Sequence, residues 1–501
     1  MVFGASLDLA SQVAGRLVVL ILIVAVLLWA TVWLVKHLAR LFQAHATDWV
    51  QRFYFWSRNR RWIGPISASL LDPAQGELRG LATLAVLLLG SVVLVSLSLS
   101  AAGRQLPSAL DQSLHHFFQE LRTPWADALM VFIAELGDYQ VTLPVSLVVF
   151  GWLVWRRHHA AAGHWLAALG FGMATNLLFK WLLPVSGPAE VARGVLGYSF
   201  PSSHATFSML VFGFLAVLIA REIPLARRWL VYLAAALLIV PITFARLYLG
   251  IHWLTDTVAG LCLGLIWVTV LGLAYHRHSA TTAVHWRGLL AYSTIALLIL
   301  DLLHVSVDFR EDLRRYQPRT VVQTQAAAEW WEQGWRQLPH QRRDFGGHGR
   351  QDLLLQWSGS REQLEHRLRE AGWRPAPPVS LKNLLLWLSP QVEMRELSVL
   401  PQLHDGREDE LRMVYYASEP GARWVLRFWD TGVQLRESGL PVWVGSVAHQ
   451  QLESRMGLFT SAVSDPETHA PLNLLAPAWR GLRTRTASEE GSRASITLIS
   501  D

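Results

Sequence analysis

The sequence predicts an all-α polytopic membrane protein with about eight spans, followed by a C-terminal α+β extramembrane domain. Three observations carry that reading. The 501 residues are 52% hydrophobic and only 16% charged, whereas soluble chains average about 25% charged. Apolar runs follow one another up to about Ser306, and charges, prolines and polar turns return only after it. The net charge of +6 sits in short loops between the runs, a membrane signature rather than a nucleic-acid one. The apolar content and the lack of a sustained heptad exclude disorder, collagen and coiled coil. The single cysteine, Cys262, lies inside an apolar run, which excludes an internal disulfide, a cysteine zinc site and a CxxC redox motif.

A hydrocarbon core of about 30 Å takes about 20 helical residues. The segments that answer are Leu17–Val35, Leu81–Ser100, Val141–Trp155, His164–Leu183, Ala205–Ala220, Trp229–Ala245, Leu254–Tyr275 and Gly288–Ser306. The third is short and draws on residues from Leu136 onward. The first reads as a span rather than a cleaved leader, because Lys36 and Arg40 follow it where a small-residue cleavage site would stand. Basic residues fall in alternate loops: Lys36 to Arg79, Arg156 with Arg157, Arg221 to Arg228, and Arg277 with Arg287. The positive-inside rule makes these loops cytoplasmic. The amino terminus and everything after Ser306 are then expected outside an inner membrane, in a periplasm. Ser108–Asp138, with Phe117, Phe118 and Trp125, reads as amphipathic helix on that outer surface. The expected divisions are 1–80 (a span and a basic segment), 81–280 (a membrane core), 281–307 (a last span) and 308–501 (the extramembrane domain).

Three polar islands interrupt the apolar runs, all on the expected outer side. They are Lys180 near the end of the fourth run, Pro201-Ser202-Ser203-His204 before the fifth, and Arg246, His252 and Asp256 between the sixth and seventh. Ionisable groups at membrane depth are costly, so each is a candidate site. Each also has a plain reading. Lys180 can snorkel to the interface, Ser202 can cap a helix, and His252 and Asp256, four apart, can share a structural hydrogen bond. Together they form an anion site with a nucleophile, an orienter and a spare acid beside a helix N-terminus. The pairs His158-His159 and His276/His278 suit interfacial anchoring better than metal ligation.

The islands resemble the signature of the type-2 phosphatidic acid phosphatase family, lipid phosphatases related to vanadium haloperoxidases. That signature runs K-x6-R-P, P-S-G-H and S-R-x5-H-x3-D. Here it reads Lys180, six residues, Gly187-Pro188; then Pro201-Ser202-Ser203-His204; then Ala245-Arg246, five residues, His252, three residues, Asp256. The resemblance covers about Leu81 to Tyr275 and implies a six-helix core with a phosphatase mechanism that needs neither metal nor cofactor. It implies that His252 attacks phosphorus to form a phosphohistidine, that Asp256 orients it, and that His204 protonates the leaving oxygen. Lys180, Arg246, Ser202 and Ser203 would hold the phosphate oxygens. Gly187 stands where the family carries arginine, and Arg193 is the candidate substitute. The expected substrate is a lipid phosphate or diphosphate, undecaprenyl diphosphate first and phosphatidylglycerol phosphate or phosphatidic acid next. No nucleic-acid partner is expected. The alternative is a degenerate, non-hydrolytic phospholipid-binding or lipid-transport protein with a periplasmic interaction domain.

In the tail, Ser360 with Gln363 predicts a capping box opening a helix through Leu364, Leu368 and Ala371, which Gly372 stops. Leu381–Leu388 is apolar but too short to span. Leu411–Ala417 and Arg423–Trp429 predict a hairpin through Glu419-Pro420-Gly421, and Val442–Val447 and Ile496–Ile499 predict further strands. This hairpin, leading into Pro441-Val442-Trp443-Val444-Gly445, is similar to the LssY C-terminal-type domain, a resemblance that implies no activity. Trp357, Trp424, Trp429 and Trp443 read as core.

Overall fold

The computed structural model describes residues 16–34, 36–37, 78–103, 106–188, 198–278, 284–317, 323–344, 349–377, 393–416, 421–455, 459–465, 474–488 and 495–500. The chain divides into two compact units. One comprises Met1–Asp111 with Leu121–Pro318, the other Gln112–Glu120 with Arg319–Asp501.

The first unit is helical. Its elements are α1 (Arg16–Leu34), α2 (Leu78–Ala102), the start of α3 (Ala109–Glu120), whose residues from Gln112 onward belong to the other unit, α4 (Pro124–Glu135), α5 (Tyr139–Trp155) and α6 (His159–Leu182). They continue as α7 (Ser203–Arg221), α8 (Arg228–Tyr248), α9 (Leu254–His278) and α10 (Trp286–Arg315). Every expected span coincides with a helix. Among the described residues, six stretches are long and apolar enough to cross a membrane: α1, α4 through α5, α7, Leu225–Tyr248, Leu254–His276 and α10. The expected span Leu81–Ser100 lies within the 25-residue apolar helix α2, whereas His164–Leu183 is helical but falls short of that mark, because α6 is diluted by His159, His164, Asn176 and Lys180.

The stretch Ser108–Asp138 departs from expectation. It breaks at Thr123, which caps α4 by accepting from the Ala126 N–H, and Pro124 opens the new helix. α4 buries Ala126, Met130, Val131 and Ala134 and runs through a corner at residues 136–138 into α5. The amphipathic reading therefore fits only the α3 half, and the third span begins earlier than the sequence indicated.

Close approach of small residues sets the core. A Cβ at Gly264 of α9 would stand 2.9 Å from the Thr206 carbonyl of α7 and 2.7 Å from Met209 Cβ. The Thr206 hydroxyl donates to the Gly260 carbonyl at 3.1 Å. Glycine here lets two spans touch through their backbones, the usual device where helix association lacks a hydrophobic drive. Behind that contact lies an apolar cluster including Val145, Trp165, Leu210, Phe214 and Ile242. α7 contains a π turn at Met209–Gly213.

The second unit is built on a nine-stranded sheet. Its strands are β1 (Gln323–Gln325), β2 (Leu355–Ser358), β3 (Arg374–Pro375), β4 (Leu411–Tyr416), β5 (Ala422–Leu435), β6 (Pro441–Arg455), β7 (Phe459–Asp465), β8 (Arg483–Ser488) and β9 (Ser495–Ser500). The order is β8-β9-β2-β6-β5-β4-β3, with β1 also on β5 and β7 also on β6. The β1/β5 and β9/β2 pairs are parallel. The predicted hairpin forms, from Leu411↔Phe428 to Tyr416↔Arg423. Glu419 and Pro420 of its turn, like Leu381–Leu388, lie outside the described residues. The capping box at Ser360 and Gln363 forms and opens α11 (Arg361–Glu370), and Gly372 follows at φ +89. Trp357, Trp429 and Trp443 are buried. Trp424 is partly exposed and its ring is tilted against that of His449, with centroids 4.6 Å apart and planes 40° apart.

Candidate active site

The three islands lie far apart in sequence and meet at the ends of α6 and α8 and the starts of α7 and α9. Ser202 caps α7, accepting from the Ala205 N–H, while its own N–H donates to the Asp256 carbonyl at 3.0 Å. That bond fixes the start of α7 against the start of α9. Asp111 secures the other side, accepting from the Thr255 N–H at 3.0 Å and from its hydroxyl at 3.1 Å. His204 and His252 are thereby brought to a ring-centroid separation of 6.4 Å.

His252 stands in the turn after α8. Its Nδ1 is 3.6 Å from Asp256 Oδ2, and that same oxygen accepts from the Trp253 N–H at 3.0 Å. Asp256 is fully buried, His252 nearly so, and neither His252 Nδ1 nor Asp256 Oδ1 has a hydrogen-bond partner among the described residues. Such slack is common in resting sites whose bonds tighten around substrate. Burial pushes the His252 imidazole below its ordinary range, against the pull of Asp256. A neutral ring keeps a lone pair available for attack.

Lys180 and Arg246 lie within electrostatic reach of His252. Lys180 is buried and its Nζ donates to the Tyr198 carbonyl at 2.6 Å. Arg246 Nη1 donates to the Tyr316 hydroxyl at 3.3 Å, with the guanidinium 5.6 Å from that ring's centre, and its Nε has no partner among the described residues. The Ser203 hydroxyl donates to Asn176 Oδ1 at 2.9 Å. The Ser202 and Ser203 side chains therefore serve structure. The N–H groups of Ser203 and His204 stand in the first turn of α7, where the helix supplies no acceptor and the dipole favours an anion.

Gly187 adjoins this centre. The Ser199 N–H donates to the Val185 carbonyl at 2.8 Å, and Trp253 Nε1 donates to the Ser186 carbonyl at 2.8 Å. A Cβ at Gly187 would meet the Ile251 carbonyl at 3.3 Å, immediately before His252. The position where the resembled family carries arginine is thus at the candidate nucleophile's own turn. Arg193 lies outside the described residues.

Three contributors were missed in the sequence. Asn176, one turn before Lys180 on α6, donates to the Pro201 carbonyl at 3.3 Å and to Thr206 Oγ1 at 2.9 Å. Its four-residue spacing from Lys180 in an otherwise apolar helix was the available signal. Tyr316, just past α10, also accepts at its carbonyl from Arg122, which Asp127 holds at 3.0 Å. Asp138 Oδ2 lies 3.6 Å from His204 Nε2. Neither of these two sits near a motif. Among the described residues no group of three or more His, Cys, Asp or Glu is arranged to share a metal ion.

A buried lysine, a buried arginine, two imidazoles and a carboxylate thus lie around a helix start in the helical unit. Residues 80–280 match the family model of the PAP2 superfamily, and residues 335–466 match that of the LssY C-terminus. It is similar to phosphatidylglycerophosphatase B of Bacillus subtilis (strain 168), 26% identical over 149 residues, covering 29% of this chain and 73% of that protein. It is also similar to YbjG of Escherichia coli (strain K12), named as a candidate undecaprenyl-diphosphatase, 29% identical over 153 residues, covering 28% of this chain and 70% of that one. The crystal structure of a transmembrane PAP2-type phosphatidylglycerolphosphate phosphatase from Bacillus subtilis aligns over 38% of this chain and 98% of its own, at 22% identity and a TM-score of 0.35. The two sequence relatives support a membrane phosphatase.

Proposed function

We propose that the protein is an inner-membrane phosphatase that hydrolyses a lipid phosphate or diphosphate at the periplasmic face through a phosphohistidine on His252. One observation carries the reading: His252 with Asp256, and His204, meet beside Lys180, Arg246 and the start of α7. In the first step a His252 nitrogen forms a bond to phosphorus as the bond to the leaving oxygen breaks, and His204 protonates that oxygen. In the second, water attacks phosphorus, His204 takes the proton, and inorganic phosphate leaves. Lys180, Arg246 and the first N–H groups of α7 offset the charge on the equatorial oxygens. Undecaprenyl diphosphate is the first substrate proposed, from the YbjG resemblance; phosphatidylglycerol phosphate follows from the other relative and phosphatidic acid from the motif resemblance.

A second reading rests on Gly187, where the cation of the resembled motif is absent. It makes the chain a phospholipid-binding protein without turnover. Phosphate release from the detergent-solubilised full chain over these three lipids separates the two. Release from at least one, lost in His252→Ala, supports the enzyme; binding without release supports the second reading. If Arg193 supplies the missing cation, Arg193→Ala cuts turnover about tenfold and Gly187→Arg restores part of it. The proposed orientation predicts that a periplasm-only reporter fused after Asp501 is active and a cytoplasm-only reporter is silent.

A further inference from the structure

We infer that Asp138 is the positioning residue of His204, giving the site a second histidine–carboxylate pair on the leaving-group side. The inference rests on the phosphatase reading above. Asp138 occupies the corner between α4 and α5, and three features of that corner fix its carboxylate. Oδ1 caps α5, accepting from the Gln140 N–H at 3.5 Å, while Oδ2 faces His204 Nε2 at 3.6 Å. The residue before it, Gly137, lies so close to α7 and α8 that a Cβ would strike Ile242 Cγ2 and stand 3.0 Å from Ser208 Oγ. Ser208 is one helical turn beyond His204. The glycine thus presses the corner onto the same helix that carries the imidazole, and the carboxylate has little freedom to swing away. His204 Nε2 has no hydrogen-bond partner among the described residues, so no competing group takes that nitrogen from Asp138.

The consequence is an assignment of atoms. With Nε2–H turned to Asp138, the nitrogen that gives the proton to the leaving oxygen, and takes it back from water, is Nδ1. Asp138 keeps no proton in either step; it holds the ring and offsets the charge of the imidazolium. The other charged groups around this pair are Arg246 and His252 on the phosphate side. Glu135 on α4 is itself within electrostatic reach of Asp138 and of Asp301, Asp308 and Asp312 on α10.

Leaving-group chemistry separates positioning from scaffolding. A glycerolipid alkoxide needs a proton to depart, whereas p-nitrophenolate leaves without one. Asp138→Asn keeps the helix cap, and Asp138→Ser is a second capping variant lacking the carboxylate. With purified full-length protein in detergent, both variants are expected to lower kcat on phosphatidic acid about thirtyfold, with KM within twofold. The loss in kcat on p-nitrophenyl phosphate is expected to stay below threefold. Equal losses on the two substrates, a loss confined to KM, or no loss at all overturns the inference and leaves the phosphatase reading standing. A wild-type protein that releases phosphate from neither of these, nor from undecaprenyl diphosphate or phosphatidylglycerol phosphate, overturns both.

Discussion

Buried charge is treated differently in the middle of the sheet and around His252. In the sheet unit, the buried Arg427 is paired with the buried Asp409, and the buried Arg423 donates to Gln450 Oε1 and to the carbonyls of Met394, Leu397 and Ser398. In the helical unit, Glu135, Asp256, His252, His204 and Arg246 each retain a buried polar atom with no partner among the described residues. Desolvating a charge costs several kcal/mol unless it is paired, and an unpaired group at membrane depth is costlier to keep. The difference teaches where to look for chemistry. The arginines in the middle of the sheet are satisfied, whereas His252, Asp256, His204 and Arg246, which meet in the candidate site, each keep an unsatisfied atom among the described residues.

That contrast breaks most visibly at His252. His252→Ala is expected to reduce phosphate release at least about a thousandfold, while membrane insertion and detergent stability stay unchanged. A variant that turns over at more than a few per cent of wild type removes the covalent role. Asp409→Ala is the counterpart in the sheet unit. It strands Arg427 and should destabilise that unit by about 3–5 kcal/mol, read as earlier proteolysis of residues 319–501 in a denaturant series. Unchanged protease resistance would mean that this pair is dispensable.

A third test uses pH. His404 is buried, and burial first, then the nearby arginines Arg343, Arg342 and Arg407, lower its pKa from 6.5 to about 4. Its Nδ1 accepts from the Arg343 N–H at 3.1 Å, which requires the neutral ring. Because the folded value lies below the unfolded one, this stability is present in full above about pH 6.5 and is lost as pH falls toward 4. The swing is of order 3 kcal/mol, and in His404→Gln the unfolding midpoint of the sheet unit should lose that part of its slope. The smallest effect is expected at Tyr316. Tyr316→Ala removes the ring under Arg246 and should raise KM about fivefold with kcat within twofold, whereas Tyr316→Phe keeps the ring and should change KM less than twofold.

Much of this arrangement could be read from the chain because its signals are local. His252 and Asp256 share a turn and a helix start, so one spacing names both, and the capping box at Ser360 is complete within four residues. Apolar length alone located the helices of the first unit. What escaped reading depends on distant contacts. Asp138 faces His204 only because Gly137 lets α4 and α5 fold against α7 and α8, and Tyr316 reaches Arg246 only through the length of α10. β6 outran its predicted segment because His449 and Gln450 beyond it are polar yet buried, so neither face of the strand shows the apolar alternation that marks one. Ser108–Asp138 misled because one proline divides a polar helix from an apolar one.

The π turn of α7 has a consequence for how this span can vary. A π turn is an α-helix that has taken in one additional residue without breaking. Elsewhere in a membrane helix, losing a residue turns everything beyond it by about 100° and draws it up by about 1.5 Å. In α9 such a loss would carry Gly260 and Gly264 off Thr206 and Met209. Within Met209–Gly213 the same loss would only return the helix to ordinary winding, leaving His204 fixed by its cap and its neighbours. This segment is where the lineage of the protein can shorten or lengthen a span while the reacting end stays in place.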